Sequence, residues 1–262
     1  MIDIGTLGGT FGLPTGLNNR GQVIGVSSLS ADPGACLGIG NTANCHPFLW
    51  EDGRLIDLFS STIGGNPITA NALDDAGEIE GAAAFANRPF DAYLWRNGRA
   101  TDLGVLAGDC ISQASAINSK GQIVGNSLSC DGSTLRSFLW EKGSMVDLNT
   151  LIPPNSGLLL VETFAINDRG EIAGNGVPPG CIGGPFGTCQ HGFVLIPCGE
   201  GDQGEEGCED NAGNATAVTL GSAAPVSQRP SSATPANPAL SHGPVGMFDR
   251  LRVPPFDCAQ GR

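Results

Sequence analysis

The chain has 262 residues, a net charge of −13, 40 glycines and 18 prolines, and only 15% of its residues are charged. That sign excludes the basic surface a nucleic-acid binder needs to displace phosphate counterions, and it opposes docking on an anionic membrane. No apolar run reaches the ~18–20 residues of a membrane-spanning helix, so no membrane insertion is expected.

The frequent glycines and prolines, without long windows of 3.6-residue periodicity, predict an all-β fold with many turns. Met1–Gly5 reads as an isolated strand. It has neither a basic start nor a long apolar run, so it is not a signal peptide. A leader is therefore expected upstream, or the start is misassigned.

The block Leu17-Asn-Asn-Arg-Gly21-Gln-Val-Ile-Gly25 then returns three times, at 73–81, 117–125 and 166–174. Each copy has an aliphatic residue, Asn or Asp, two turn residues and Gly (Gly21, Gly77, Gly121, Gly170). Gln or Glu, a β-branched residue, a variable position and a second Gly follow. Asn or Asp followed by glycine three residues on predicts a type I turn closed by a left-handed glycine. A third strand carries the aromatic pairs Phe48/Trp50, Tyr93/Trp95 and Phe138/Trp140. The turns Asp52-Gly53, Asn97-Gly98 and Lys142-Gly143 lead from it into strands ending in Asp57, Asp102 and Asp147. Asp-Gly and Asn-Gly between alternating apolar runs are strong hairpin signals.

Each unit thus reads as four short antiparallel strands, and a repeat of about 40–50 residues with four strands marks a β-propeller blade. The units are about 5–58, 59–103, 104–148 and 149–198. The last lacks an Asp-Leu strand, whereas the chain begins with one around Asp3. The expectation is a four-bladed propeller over 1–198, closed by Met1–Ile4 completing the last unit. A partial arc of a larger ring is the competing arrangement. Residues 199–262 lose all periodicity, first Gly- and acid-rich, then Pro-, Ala- and Ser-rich, and read as a disordered tail. The tail holds His242, a weak glycosylation triplet at Asn214 and a short apolar stretch at 247–256.

The nine cysteines fall mainly in expected loops. Cys36 and Cys45 flank one insertion, Cys181 and Cys189 flank another, and Cys110 and Cys130 stand at two loop ends of one unit. Cys198 and Cys208 complete the proposed disulfide set and Cys258 is odd. This spacing predicts loop staples in an oxidising compartment, since the paired C-x₂₋₄-C of a zinc site is absent.

Candidate chemistry is sparse. His46 and His191 hold one repeat position, occupied by Asp91 and Arg136 in the other units. Asp3, Asp57, Asp102 and Asp147 hold another. Residues that recur in register argue for architecture, because catalysis needs different groups converging on one point. No nucleophile elbow, P-loop or metalloprotease motif occurs, and no cofactor or metal is expected.

Three blocks together, Asp3-Ile-Gly-Thr-Leu-Gly-Gly9, Ala116–Gly125 and His46-Pro-Phe-Leu-Trp50 with His191-Gly-Phe193, resemble the bacterial extracellular HAF repeat family over about residues 1–198. The resemblance implies a secreted or surface-exposed repeat protein and transfers no catalytic residues. The function expected is a binding scaffold for an extracellular glycan or protein, with the insertions 29–45 and 176–190 as its contact loops. The alternatives are a polysaccharide-active enzyme with carboxylates in the axial channel, and a structural segment of a larger surface protein.

Overall fold

A computed structural model describes residues 1–30, 36, 44–86, 88–154, 156–181, 189–198 and 218–220. The first sheet contains β1 (Gly12–Leu17), β2 (Val23–Ser28), β3 (Cys45–Glu51) and β4 (Arg54–Asp57) in that order, all antiparallel. A single helical turn, α1 (Leu58–Ser61), leads to the second sheet. There β5 (Asn66–Pro67) and β6 (Ala72–Leu73) both pair with β7 (Ile79–Phe85), followed by β8 (Arg88–Arg96) and β9 (Arg99–Gly104). The third sheet is β10 (Asp109–Ile117), β11 (Ile123–Ser129), β12 (Leu135–Glu141) and β13 (Ser144–Asp147). The fourth is β14 (Leu159–Ile166), β15 (Ile172–Val177), β16 (His191–Pro197) and β17 (Val218–Leu220).

The turns form as their residues dictate. In the first hairpin of each unit Gly21, Gly77, Gly121 and Gly170 have φ of 77°, 84°, 72° and 88°. The Gly21 amide donates to the Asn18 carbonyl at 3.1 Å, while the Arg20 and Gln22 amides donate to Asn18 Oδ1 at 3.1 and 3.0 Å. Asn118 and Asn167 repeat this arrangement. In the other hairpin Asp52-Gly53, Asn97-Gly98 and Lys142-Gly143 have positive φ at both positions, as a type I′ turn requires. Gly25, Gly81, Gly125 and Gly174 have a different cause. A Cβ at these positions would overlap the carbonyl oxygens of Leu13, Gln113 and Glu162, on the first strand of the same unit, and of Thr69, between β5 and β6.

The sheets stack in chain order. Ile24, Leu49 and Leu58 of the first unit pack against Ala70, Ile79 and Leu73 of the second. Leu94 and Leu103 meet Ile123, Phe138 and Trp140 of the third sheet. Val124 and Leu148 meet Leu160, Ile172, Phe193 and Leu195 of the fourth. Trp95 and Trp140 lie in these seams, with Trp95 Nε1 donating to Thr62 Oγ1 at 3.0 Å. Trp50 is half-buried.

The expected closure of the last unit by Met1–Ile4 fails. Met1–Ile4 forms no strand, and the outer place on β16 belongs to β17, paired Leu195 to Leu220 and Pro197 to Val218. The N-terminal segment is drawn elsewhere. Asp3 Oδ1 accepts the Gly5 amide at 2.9 Å, and the chain is then tied to the first sheet by the Leu7 amide on Ser27 Oγ at 2.9 Å. Val218-Thr-Leu220 has the β-branched content of a strand and sits inside the stretch expected to be structureless. Among the described residues, no buried cluster joins the first sheet to the fourth. The rest of 199–262, including Cys208, Asn214, His242 and Cys258, lies outside the described residues.

Candidate functional site

The two repeat series that stand apart in the sequence meet in space. β3 and β4 pair Phe48 with Asp57, which brings His46, two residues along on the same face, onto Asp57. His46 Nδ1 lies 2.8 Å from Asp57 Oδ2, and the ring stacks on Phe59 with centroids 4.4 Å apart. Ser60 Oγ donates to Asp57 Oδ2 at 2.7 Å and its amide to Oδ1 at 3.1 Å. This is not a nucleophile–base arrangement, because the hydroxyl donates to the carboxylate and not to the imidazole. Burial pushes the Asp57 carboxyl up, but the bonds from His46 and Ser60 outweigh it and hold the group below its usual range.

The third unit makes the same link with different chemistry. Arg136 reaches Asp147 Oδ2 at 3.2 Å, Asp109 Oδ1 at 2.8 Å and the Ala107 carbonyl at 3.0 Å. Asp147 caps the turn that follows by accepting the Asn149 amide at 2.9 Å. In the fourth unit β17 brings no aspartate, and His191 is exposed.

The second unit is the exception. Asp91 faces Asp102, so two carboxyls meet where the first and third units place a nitrogen group against a carboxylate. The Asp91 side chain is fully buried, with Arg88 Nε 3.3 Å from Oδ2. Burial first, then the charge of Asp102, pushes the Asp91 carboxyl up to about 7, against the pull of Arg88. Neither Asp91 oxygen has a hydrogen-bond partner among the described residues, which leaves the charged form poorly compensated and favours the protonated acid. Asp102 Oδ1 also accepts the Gly104 amide at 2.7 Å.

Glu80 is a second buried acid, and the repeat formula marks it. Its counterparts are Ile24, Val124 and Ala173, aliphatic residues of the β2-type strand. The side chain is wholly buried and burial pushes its carboxyl well up. The repeat formula fixes the glycines and the β-branched position of that strand and leaves this one variable. Departure from an otherwise aliphatic position was the available signal.

The acids at the turn end do different work. Asp75 accepts both the Asn19 amide at 2.8 Å and Asn19 Nδ2 at 2.6 Å from the preceding unit. Asp168 accepts the Ser119 amide at 2.9 Å in the same way. These bonds hold both carboxyls below their usual range, which suits joints between units and not proton transfer. Asn18 Nδ2 and Arg20 Nη1 add bonds to the Asp74 and Ala76 carbonyls at 2.9 and 2.8 Å. The second unit has Asp74, which lacks an amide donor, at the place of Asn18; its bond to the next unit comes from Asn71, at the place of Thr15, whose Nδ2 donates to the Ala114 carbonyl at 2.8 Å.

The opposite end carries the disulfides. Cys36–Cys45, Cys110–Cys130 and Cys181–Cys189 are all bonded. Cys45 begins β3, Cys110 lies at the start of β10, Cys130 directly follows β11, and Cys181 and Cys189 lie between β15 and β16. All three bridges therefore sit at the end away from the Asn-x-x-Gly turns. Cys198 is also disulfide-bonded. Most of the expected contact loops 29–45 and 176–190 lie outside the described residues. The three bridges point to an oxidising, extracellular environment. No described helix is long and apolar enough to cross a membrane. No group of three or more metal-ligating side chains occurs among the described residues.

No family model matches the chain, and no curated protein matches it. Among solved structures the chain is similar to the Hadza microbial sialidase Hz136, at 10% identity and a TM-score of 0.32. The match covers 68% of this chain and 43% of the sialidase chain, so this chain spans less than half the length of that structure. A likeness of that score carries no argument about activity.

Proposed function

We propose that the protein is a secreted or surface-exposed binding scaffold whose contact face is the disulfide-pinned loop end of the sheet stack, and that its ligand is an extracellular glycan or protein. The observation that carries this reading is the gathering of three disulfides at one end of the stack. The opposite end is closed by short turns, bonded from the first unit to the second and from the third to the fourth. Stapling restrains loops before contact and so lowers the ordering cost of binding. Rigid sheets that present restrained loops are a common way to build a recognition surface. The HAF-like blocks support the same reading, since that resemblance implies extracellular repeats. The intact chain is applied to an array of glycans and extracellular proteins, before and after mild reduction. Binding that falls on reduction while the β-sheet circular dichroism persists supports the proposal. Binding unaffected by reduction, or a glycan recovered cleaved after contact, overturns it; cleavage favours a polysaccharide-active enzyme.

A further inference from the structure

The three internal seams use the same two faces each time, and among the described residues the inner part of one copy of each face stands exposed. On the incoming face, Ala70, Ala114 and Thr163 are fully buried against the preceding sheet, whereas their counterpart Pro14 is exposed. Leu73, Ile117 and Ile166 pack into the seams, whereas their counterpart Leu17 is 69% exposed. Phe48, at the outer part of that face, is buried. On the outgoing face, Leu49 and Leu94 are buried by the next sheet, whereas their counterpart Val194 is 49% exposed. Ile196 on the same strand is 43% exposed. Thr15 Oγ1 and Asn71 Nδ2 reach the Ala70 and Ala114 carbonyls of the next unit at 2.8 Å each. Their counterpart in the fourth unit is Phe164, 47% exposed.

We propose that a second copy of this chain covers these faces, its first sheet seated on the fourth sheet of its neighbour. The partner is identified by continuity with an interface the molecule already forms three times. The fourth sheet presents the half that accepts an incoming first strand, and the first sheet presents the half that supplies one. The turn rungs extend in the same direction. Asn167 and Arg169 occupy the places of Asn18 and Arg20, which reach the Asp74 and Ala76 carbonyls of the unit that follows. In a second copy the matching acceptors are the carbonyls of Asn18 and Arg20. Such a contact joins two different faces, so it is heterologous and closes a ring or runs on as a chain of copies. Phe164 adds an apolar residue where the internal seams use a polar one, the change expected at the centre of an intermolecular contact.

The test uses sedimentation velocity of the full chain at rising concentration, to about 100 µM, with Leu17→Asp and Val194→Asp. Each variant spoils one face at an exposed position, so folding persists and is checked by circular dichroism. The wild type associates, and each variant alone weakens association at least ~30-fold, the effect of losing a central contact residue. Mixing the two variants restores a dimer that grows no further, because each keeps the face the other has lost. A wild type that stays monomeric throughout, a mixture that fails to pair, or association indifferent to both substitutions overturns the proposal.

Discussion

Position 91 places a carboxyl where units one and three supply a nitrogen group to the aspartate of the fourth strand, and the cost depends on pH. The Asp91 carboxyl is pushed from its ordinary 3.8 up to about 7, first by burial and then by Asp102. Between those values the native chain holds a proton that the unfolded chain has released. Stability therefore falls as pH rises through that window and levels off above it. Asp91→Asn keeps the shape and removes the titration. It is expected to raise the unfolding free energy from urea titration by about 1–3 kcal/mol at about pH 7.5, and to do little near pH 4. The same offset at both pH values would refute the assignment. Glu80 carries the same sign, so the comparison is made as a difference between variant and wild type. Gly125 is constrained by space, not by φ. A Cβ there meets the Gln113 carbonyl and the Phe138 ring, so Gly125→Ala is expected to cost about 1–3 kcal/mol in the same melts.

At the scale of elements, the turn ladder and the staples make separable contributions. Asn118 closes its own turn through Oδ1 and joins the next unit through Nδ2, which donates to the Asn167 carbonyl at 2.9 Å. Asn118→Asp keeps the first role and loses the second. Asn118→Ala loses both and is expected to be the more damaging by about 1 kcal/mol in thermal melts. Equal losses would mean that turn closure through Oδ1 contributes nothing, and an Asn118→Asp chain as stable as the wild type would mean the same of the ladder. Among the staples, Cys110–Cys130 spans 20 residues and Cys181–Cys189 spans 8. Loop-closure entropy makes the longer one worth about 3 kcal/mol and the shorter somewhat less. Replacing each pair with serines and comparing urea midpoints checks the order. The elements themselves were legible in the sequence because each turn carries its own chemistry: Asn18 with Gly21, Asp52 with Gly53. The pairing of Cys36, Cys110 and Cys181 followed from loop position. The meeting of His46 with Asp57, and of Asp91 with Asp102, is not legible there. It depends on the β3–β4 register, which a list of repeat positions does not contain. The outer strand β17 was missed because three residues between long polar stretches give too short a pattern to stand out.

For the whole molecule, the decisive property is that among the described residues the buried seams join only sheets consecutive in the chain, so stability is close to a sum over units and seams. The middle sheets have two seams each and the end sheets one. β1 shows the consequence: its residues are almost all exposed, whereas the equivalent strand β10 is largely buried. Local opening should therefore begin at the ends and reach the centre only with global unfolding. Native-state hydrogen exchange is expected to give the slowest amides in β7, β8, β10 and β11, and faster ones in β1 and β16. Uniform protection across all four sheets would show that the ends are held by something other than the described seams. Concentration then separates the causes. If a second copy seats its first sheet on the fourth, protection of β1 and β16 rises together as the protein is concentrated, and that of β10 stays where it was. The Leu17→Asp and Val194→Asp chains should each lack that rise, and their mixture should recover it on one strand of each partner.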